Sequence, residues 1–158
     1  VTRSPIGALL TAGHRARRLW WRVRRPRTYG VKVLLRHPEQ PHLVLAVRHS
    51  YVDQQRWALP GGRYHPHREG AAAAARREVH EELALPISGD LDLLTTVETR
   101  SEGKRDELTL LTGTSATAEM RTSIELREAR WVRDDLSDLP EGDPVSRWLR
   151  LALAHRTD

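Results

Sequence analysis

Three glutamates, Glu78, Glu81 and Glu82, stand at i, i+3 and i+4 in Arg76-Arg77-Glu78-Val79-His80-Glu81-Glu82-Leu83. On a helix this spacing puts all three on one face, with their oxygens within reach of a common point. Like charges packed in this way repel unless a cation lies among them. A hard divalent ion, Mg²⁺ or Mn²⁺, suits that place because it takes oxygen ligands and shares its shell among a few carboxylates, water and substrate phosphates. The competing account is a solvated acidic helix face.

The surrounding residues favour a built site. Ala71 to Ala75 are strong helix formers without bulk, suited to a helix lying close against a sheet. Ala72, Ala75, Val79 and Leu83 predict the packed stripe of that helix, leaving the carboxylates held rigidly towards solvent. Arg77, four residues before Glu81, is placed to orient it by a charge-assisted hydrogen bond. Upstream, Leu59-Pro60-Gly61-Gly62 predicts a turn whose missing side chains let the backbone approach a metal or phosphate.

Glu69, Arg77-Glu78-Val79, Glu81-Glu82 and Leu85 stand in register with G-x5-E-x7-R-E-U-x-E-E-x-G-U, where U is aliphatic, and in these residues the chain resembles the Nudix hydrolase family. It departs from the signature twice. Six residues, not five, separate Gly62 from Glu69, which predicts a bulge in the loop. Ala84 takes the place of the second glycine, which sets a Cβ at a left-handed helix C-terminus at a cost of about 1 kcal/mol.

The resemblance implies an α/β fold, a Nudix-type α/β/α sandwich with a mixed β-sheet, over about residues 28–158. It implies metal-dependent hydrolysis of the diphosphate linkage in a nucleoside diphosphate derivative, with a catalytically weak nucleotide-binding or sensing module as the alternative. Mg²⁺, or Mn²⁺ in its place, would be held by Glu78, Glu81, Glu82 and the Gly61 carbonyl, with Gly62 and Glu69 in support and Arg77 in the catalytic set. Glu78 is either a third ligand or the group that orients water. A proton acceptor is expected from the loop before the last strand. There Glu125, six residues ahead of Trp131, is preferred to Glu128, three ahead. The alternative is that both are rim residues paired with Arg127 or Arg130.

Within that resemblance the substrate narrows by elimination. No Tyr follows Tyr64, whereas diadenosine-polyphosphate hydrolases of the family carry one shortly after the motif. Residues 87–139 hold no Pro, which ADP-ribose hydrolases tend to have there. The additional signatures of the coenzyme A and NADH enzymes are missing. A nucleoside triphosphate, oxidised forms included, leads, and nucleotide sugars come next.

Composition bounds these readings. A chain of 158 residues, 39% hydrophobic and 30% charged, fits one soluble domain with an aliphatic core, since there is no Phe and one Met. The lack of Cys excludes a disulfide framework, a thiolate nucleophile and a zinc-thiolate site. No run approaches a membrane span, and a cytoplasmic protein is expected. The net charge of +5 is uneven: residues 1–27 hold eight Arg and no acid, and the rest carries 18 basic against 21 acidic groups. The main domain therefore requires no nucleic acid.

Residues 1–27 predict a basic amphipathic arm, in which Ile6, Leu9, Leu10, Leu19, Trp20 and Val23 follow a helical period. Docking on the domain or a second subunit is preferred to peripheral membrane contact, and nucleic acid comes last. The chain is expected to be a monomer or homodimer, and the arm to be dispensable for chemistry. His65, His67 and Glu69 raise a zinc alternative, weakened by the four protein ligands that structural zinc needs. His80 is expected at the surface.

The remaining elements follow from patterning. Tyr29 to Arg36 and Leu43 to Arg48 predict strands apolar on nearly every residue, hence a sheet covered on both faces. Trp57 to Leu59 predicts a short third strand. Leu91 to Arg100 and Glu107 to Thr114 predict a pair joined by a loop over Ser101 to Asp106, and Ile124 to Val132 a loop entering a last strand. Asp143 and Pro144 predict the N-cap and first position of a closing helix, with Val145, Trp148, Leu149 and Ala152 buried.

Overall fold

The computed structural model describes residues 27–50, 56–101 and 104–155. The basic arm lies outside them, apart from Arg27. The strands are β1 (Arg27–Arg36), β2 (Leu43–His49), β3 (Arg63–Tyr64), β4 (Ile87–Ser101), β5 (Lys104–Ser115) and β6 (Leu126–Arg133). They form one mixed sheet in the order β4-β5-β1-β2-β6, with β3 paired to the start of β1. β1 and β5 run parallel over the whole of β1, and the other pairings are antiparallel.

Helices α1 (Ala71–Leu83) and α2 (Arg147–Ala154) cover opposite faces of this sheet. Val31, Val33, Leu35, Leu45 and Val47 pack with Ala75, Val79 and Leu83 of α1. Leu34, Val44 and Ala46 pack with Leu149 and Ala152 of α2. Consecutive strand residues point to opposite faces, so continuous apolar runs are needed to fill two cores at once. Each fully buried Val or Leu contributes about 1.5–3 kcal/mol. The result is the expected α/β/α sandwich. No helix among the described residues is long and apolar enough to cross a membrane.

One irregularity of the sheet creates the site. β1 and β2 pair at Arg36 and Val44 and then part, and the segment from Ala58 to Gly62 fills the gap. Val47 exchanges two 2.9 Å hydrogen bonds with Ala58, while Val33 N–H donates to the Pro60 carbonyl at 3.1 Å and Val31 N–H to the Gly62 carbonyl at 2.9 Å. Trp57 and Ala58 thus make isolated bridges, to Val145 and Val47, in place of the expected third strand. Pro60 has no N–H to give and Gly61 turns at φ 129°, so regular pairing cannot extend there.

Other boundaries differ for local reasons. β4 and β5 run to Ser101 and from Lys104, well into the expected loop, because β5 continues its ladder with β1 to Arg105 opposite Arg27. Backbone pairing extended the ribbon where side-chain patterning signalled a loop. The closing helix starts three residues later than expected: Ser146 is its N-cap, accepting from Trp148 N–H at 3.2 Å. Asp143 instead accepts from the indole N–H of the buried Trp57 at 3.1 Å and pairs with Arg48. In α1, Ala74 is buried and Ala72 exposed. Tyr64 of β3 joins the same cluster and turns the buried face of the first turns towards Ala71 and Ala74.

Candidate active site

The three glutamates of α1 are graded in burial, which corrects the expectation of a uniformly solvent-facing stripe. Glu82 is only 5% exposed. The Glu78 side chain is 17% exposed and that of Glu81 59%. Helical geometry explains the order, since Glu82 lies beside Leu83 and three residues from Val79, next to the packed stripe, and Glu81 lies farthest from it.

Both glycines of the loop are needed to receive these carboxylates. Gly61 N–H donates to Glu82 Oε2 at 3.2 Å. Its φ of 129° belongs to glycine, and a Cβ there would meet the Val31 carbonyl oxygen at 2.3 Å. At Gly62 a Cβ would lie 2.3 Å from the carboxyl carbon of Glu78. The Pro60 and Gly62 carbonyls are committed to β1, and the Gly61 carbonyl between them accepts no backbone hydrogen bond from the described residues.

Arg77 organises the outer half of the centre. Its guanidinium donates to both oxygens of Glu69, at 2.8 and 3.3 Å. It also donates to Glu78 Oε1 at 2.8 Å and, as the spacing predicted, to Glu81 Oε2 at 3.1 Å. Hydrogen bonding to Arg77 holds the Glu69 carboxyl below its ordinary range. The extra loop residue is absorbed in a turn at 66–68, where Arg68 and Glu69 N–H both donate to the His65 carbonyl. The helix ends as the signature departure implied, with Ala84 left-handed at φ 54° and ψ 25°.

The loop before β6 hangs on the open C-terminus of α1. Arg121 N–H donates to the Leu83 carbonyl at 2.9 Å and Ser123 N–H to the Glu82 carbonyl at 2.8 Å. These bonds satisfy carbonyls the helix cannot. They also bring the exposed Glu125 near enough for its charge to act on Glu82. Glu128, inside β6, lies between Arg130 at 3.6 Å and Arg48 at 4.0 Å. The two candidates for the proton acceptor thus differ in their surroundings: the exposed Glu125 acts on Glu82 through space, and Glu128 is matched by arginines.

Burial pushes the Glu82 carboxyl up to about 7, the charges of Glu78 and Glu125 add to the rise, and the Gly61 hydrogen bond and the Lys32 ammonium oppose it. Lys32 was missed by sequence reasoning, although a lone lysine in Val31-Lys32-Val33-Leu34-Leu35 is a signal. Its Nζ donates to the Leu59 carbonyl at 2.9 Å, and burial lowers its pKa against the pull of Glu82 and Glu78.

Among the described residues no three His, Asp or Glu side chains converge closely enough to hold a metal ion together. His65 and His67 are exposed and Glu69 is taken by Arg77, which leaves the zinc alternative without support. His80 is exposed, as expected. The expected common point of Glu78, Glu81 and Glu82 is likewise not formed, because Arg77 holds Glu78 and Glu81 while Glu82 turns to Gly61. The donor set nevertheless fits a hard cation: all-oxygen groups, a glycine cradle for Glu78, and a buried carboxylate whose neighbours are largely of its own sign.

The NUDIX domain family model matches residues 26–149. Among solved structures, the chain is similar to a MutT NUDIX hydrolase from Burkholderia pseudomallei, with TM-score 0.68 and 22% identity over 83% of this chain and 98% of that one. A MutT protein from Methanosarcina mazei Go1 gives TM-score 0.64 and 23% identity over 82% and 92%. RenU, a Nudix hydrolase from M. smegmatis, gives TM-score 0.59 and 25% identity over 82% of each chain. No match is found among curated proteins.

Proposed function

The chain belongs to the Nudix family and is a Nudix pyrophosphohydrolase, and on that premise we propose that it cleaves the phosphoanhydride of a nucleoside triphosphate, with nucleotide sugars the next candidate class. The observation that carries the site assignment is the seating of Glu82 on Gly61 N–H beside Glu78 in the cradle of Gly62. Two carboxylates are there held against backbone with no room for other side chains.

Gly61, through its carbonyl, and Glu78, Glu81 and Glu82 are the residues to hold Mg²⁺, as the family's use of divalent ions supports. When bound, such an ion neutralises charge on the diphosphate and activates a water. The chain's own groups supply the rest. Arg77 is a positioning residue, since it ties the Glu69 loop to the helix and sets the rotamers of Glu78 and Glu81. Glu125 accepts the proton of the attacking water, its loop fixed on the carbonyls of Glu82 and Leu83. The Glu82–Gly61 bond keeps a buried carboxylate aimed into the centre.

A panel of nucleoside triphosphates and nucleotide sugars, assayed for phosphate and pyrophosphate release with and without Mg²⁺, tests the substrate. Glu82→Gln keeps shape and deletes charge, so it should abolish most turnover while the circular dichroism spectrum is unchanged. Parent-like turnover by that variant in Mg²⁺ would remove Glu82 from the site.

A further inference from the structure

Lys32 is the one charged residue in the run Val31 to Leu35, and the other four are fully buried. A lysine among them is costly unless its charge is matched. Within the described residues it has no ion-pair contact, and of its donors one is engaged, by the Leu59 carbonyl. That bond pins the ammonium beside the loop that receives Glu82 at Gly61 and Glu78 at Gly62. It also lies close enough to both carboxylates for each to act on it through space. Lys32 itself is partly exposed, unlike its four neighbours in the run.

An ammonium fixed by one bond beside a carboxylate centre has, in its remaining donors, the chemistry to receive a phosphate oxygen. A purely structural partner for Glu82 would be drawn into contact with it. Here the Gly61 N–H makes that contact, and Lys32 is held back by Leu59. We propose that Lys32 is a substrate-binding residue, donating to a phosphate oxygen of the diphosphate group while the Leu59 carbonyl fixes its position. This rests on the hydrolase reading above, and adds a fixed cation to the carboxylates and loops already assigned.

The probe is inorganic pyrophosphate in saturating Mg²⁺, titrated calorimetrically into the parent protein, Lys32→Met and Lys32→Arg. Affinity for Mn²⁺ alone is measured on the same proteins by electron paramagnetic resonance of the free ion. Lys32→Met should weaken pyrophosphate binding roughly ten- to a hundredfold, the worth of a hydrogen bond to a charged group. Lys32→Arg should recover part of it, and Mn²⁺ affinity in Lys32→Met should be unchanged or tighter, a like charge having been removed. Lys32→Gln replaces Lys32→Met should the latter be insoluble. Parent-like pyrophosphate binding by the neutral variant overturns the proposal, as does a parallel loss of Mn²⁺ and pyrophosphate, which would make Lys32 a support for the carboxylates. A parent that turns over nucleotide without binding pyrophosphate overturns the lysine assignment alone. A parent that binds pyrophosphate through Lys32 but cleaves no nucleotide keeps this contact and removes the hydrolase reading.

Discussion

Gly62 and Glu78 occupy one space: a Cβ on the glycine would lie 2.3 Å from the carboxyl carbon of the glutamate. At Gly61 the obstacle is of another kind, the backbone carbonyl oxygen of Val31 at the same 2.3 Å, met at φ 129°. One glycine makes room for a flexible side chain and the other for a fixed strand.

Alanine at the two positions should therefore act differently. Gly62→Ala displaces the Glu78 carboxylate, which can swing away, so turnover should fall at least about tenfold with a small change in melting temperature. Gly61→Ala forces the loop off β1 and should cost about 2 kcal/mol or more, since backbone strain alone is of order 1–3 kcal/mol. Thermal unfolding and steady-state kinetics on both variants check the contrast; equal destabilisation would refute it.

Arg77→Lys should not rescue Arg77→Ala. The guanidinium spans both oxygens of Glu69 while reaching Glu78 and Glu81, and a point-like ammonium cannot do so. Both variants should lose activity by roughly ten- to a hundredfold through misplacement of the carboxylates. A lysine variant with parent kcat/KM would mean charge alone suffices.

Stability of the metal-free protein should depend on pH through Glu82. Its folded pKa of about 7 lies above the ordinary value of 4.5, so the native state keeps a proton that the unfolded state has released. This contribution is fully present below about pH 4.5 and is lost as pH rises through 7, and its ceiling is about 3 kcal/mol. The difference in unfolding free energy between parent and Glu82→Gln, followed from pH 4 to pH 8 in the presence of chelator, isolates it from other groups. A flat difference would contradict the assignment, and Mg²⁺ should offset the loss near neutral pH.

Glu125→Gln and Glu128→Gln separate the two loop-proximal glutamates. The first should lower kcat by roughly a hundredfold or more, in line with loss of a general base. The second breaks contacts with Arg48 and Arg130 and should change kcat less than about threefold, since partly exposed ion pairs contribute little. The reverse ranking in a pH-rate study would transfer the role to Glu128.

Much of this architecture is written in local sequence. Alternation and apolar runs located β1 and β2 and implied two covered faces, because side-chain direction in a strand is set residue by residue. The i, i+3, i+4 spacing put Glu78, Glu81 and Glu82 on one helix face, and Arg77 at i−4 from Glu81 foretold their bond. Ala84 in a left-handed conformation followed from a signature position.

What tertiary structure alone decided are relationships across long separations in the chain. The burial of Glu82 depends on the loop at Gly61, 21 residues away. The place of Lys32 depends on the Leu59 carbonyl, 27 residues on, and on the parting of β1 and β2 that admits the loop. Asp143 gave up its expected role as a helix cap to Trp57, 86 residues earlier, and Ser146 took it over. Helical and strand periodicity are properties of neighbouring backbone dihedrals and can be read from a few residues. Burial, and the partner a polar group finds, depend on which distant segments the fold packs beside it, and no local pattern carries that information.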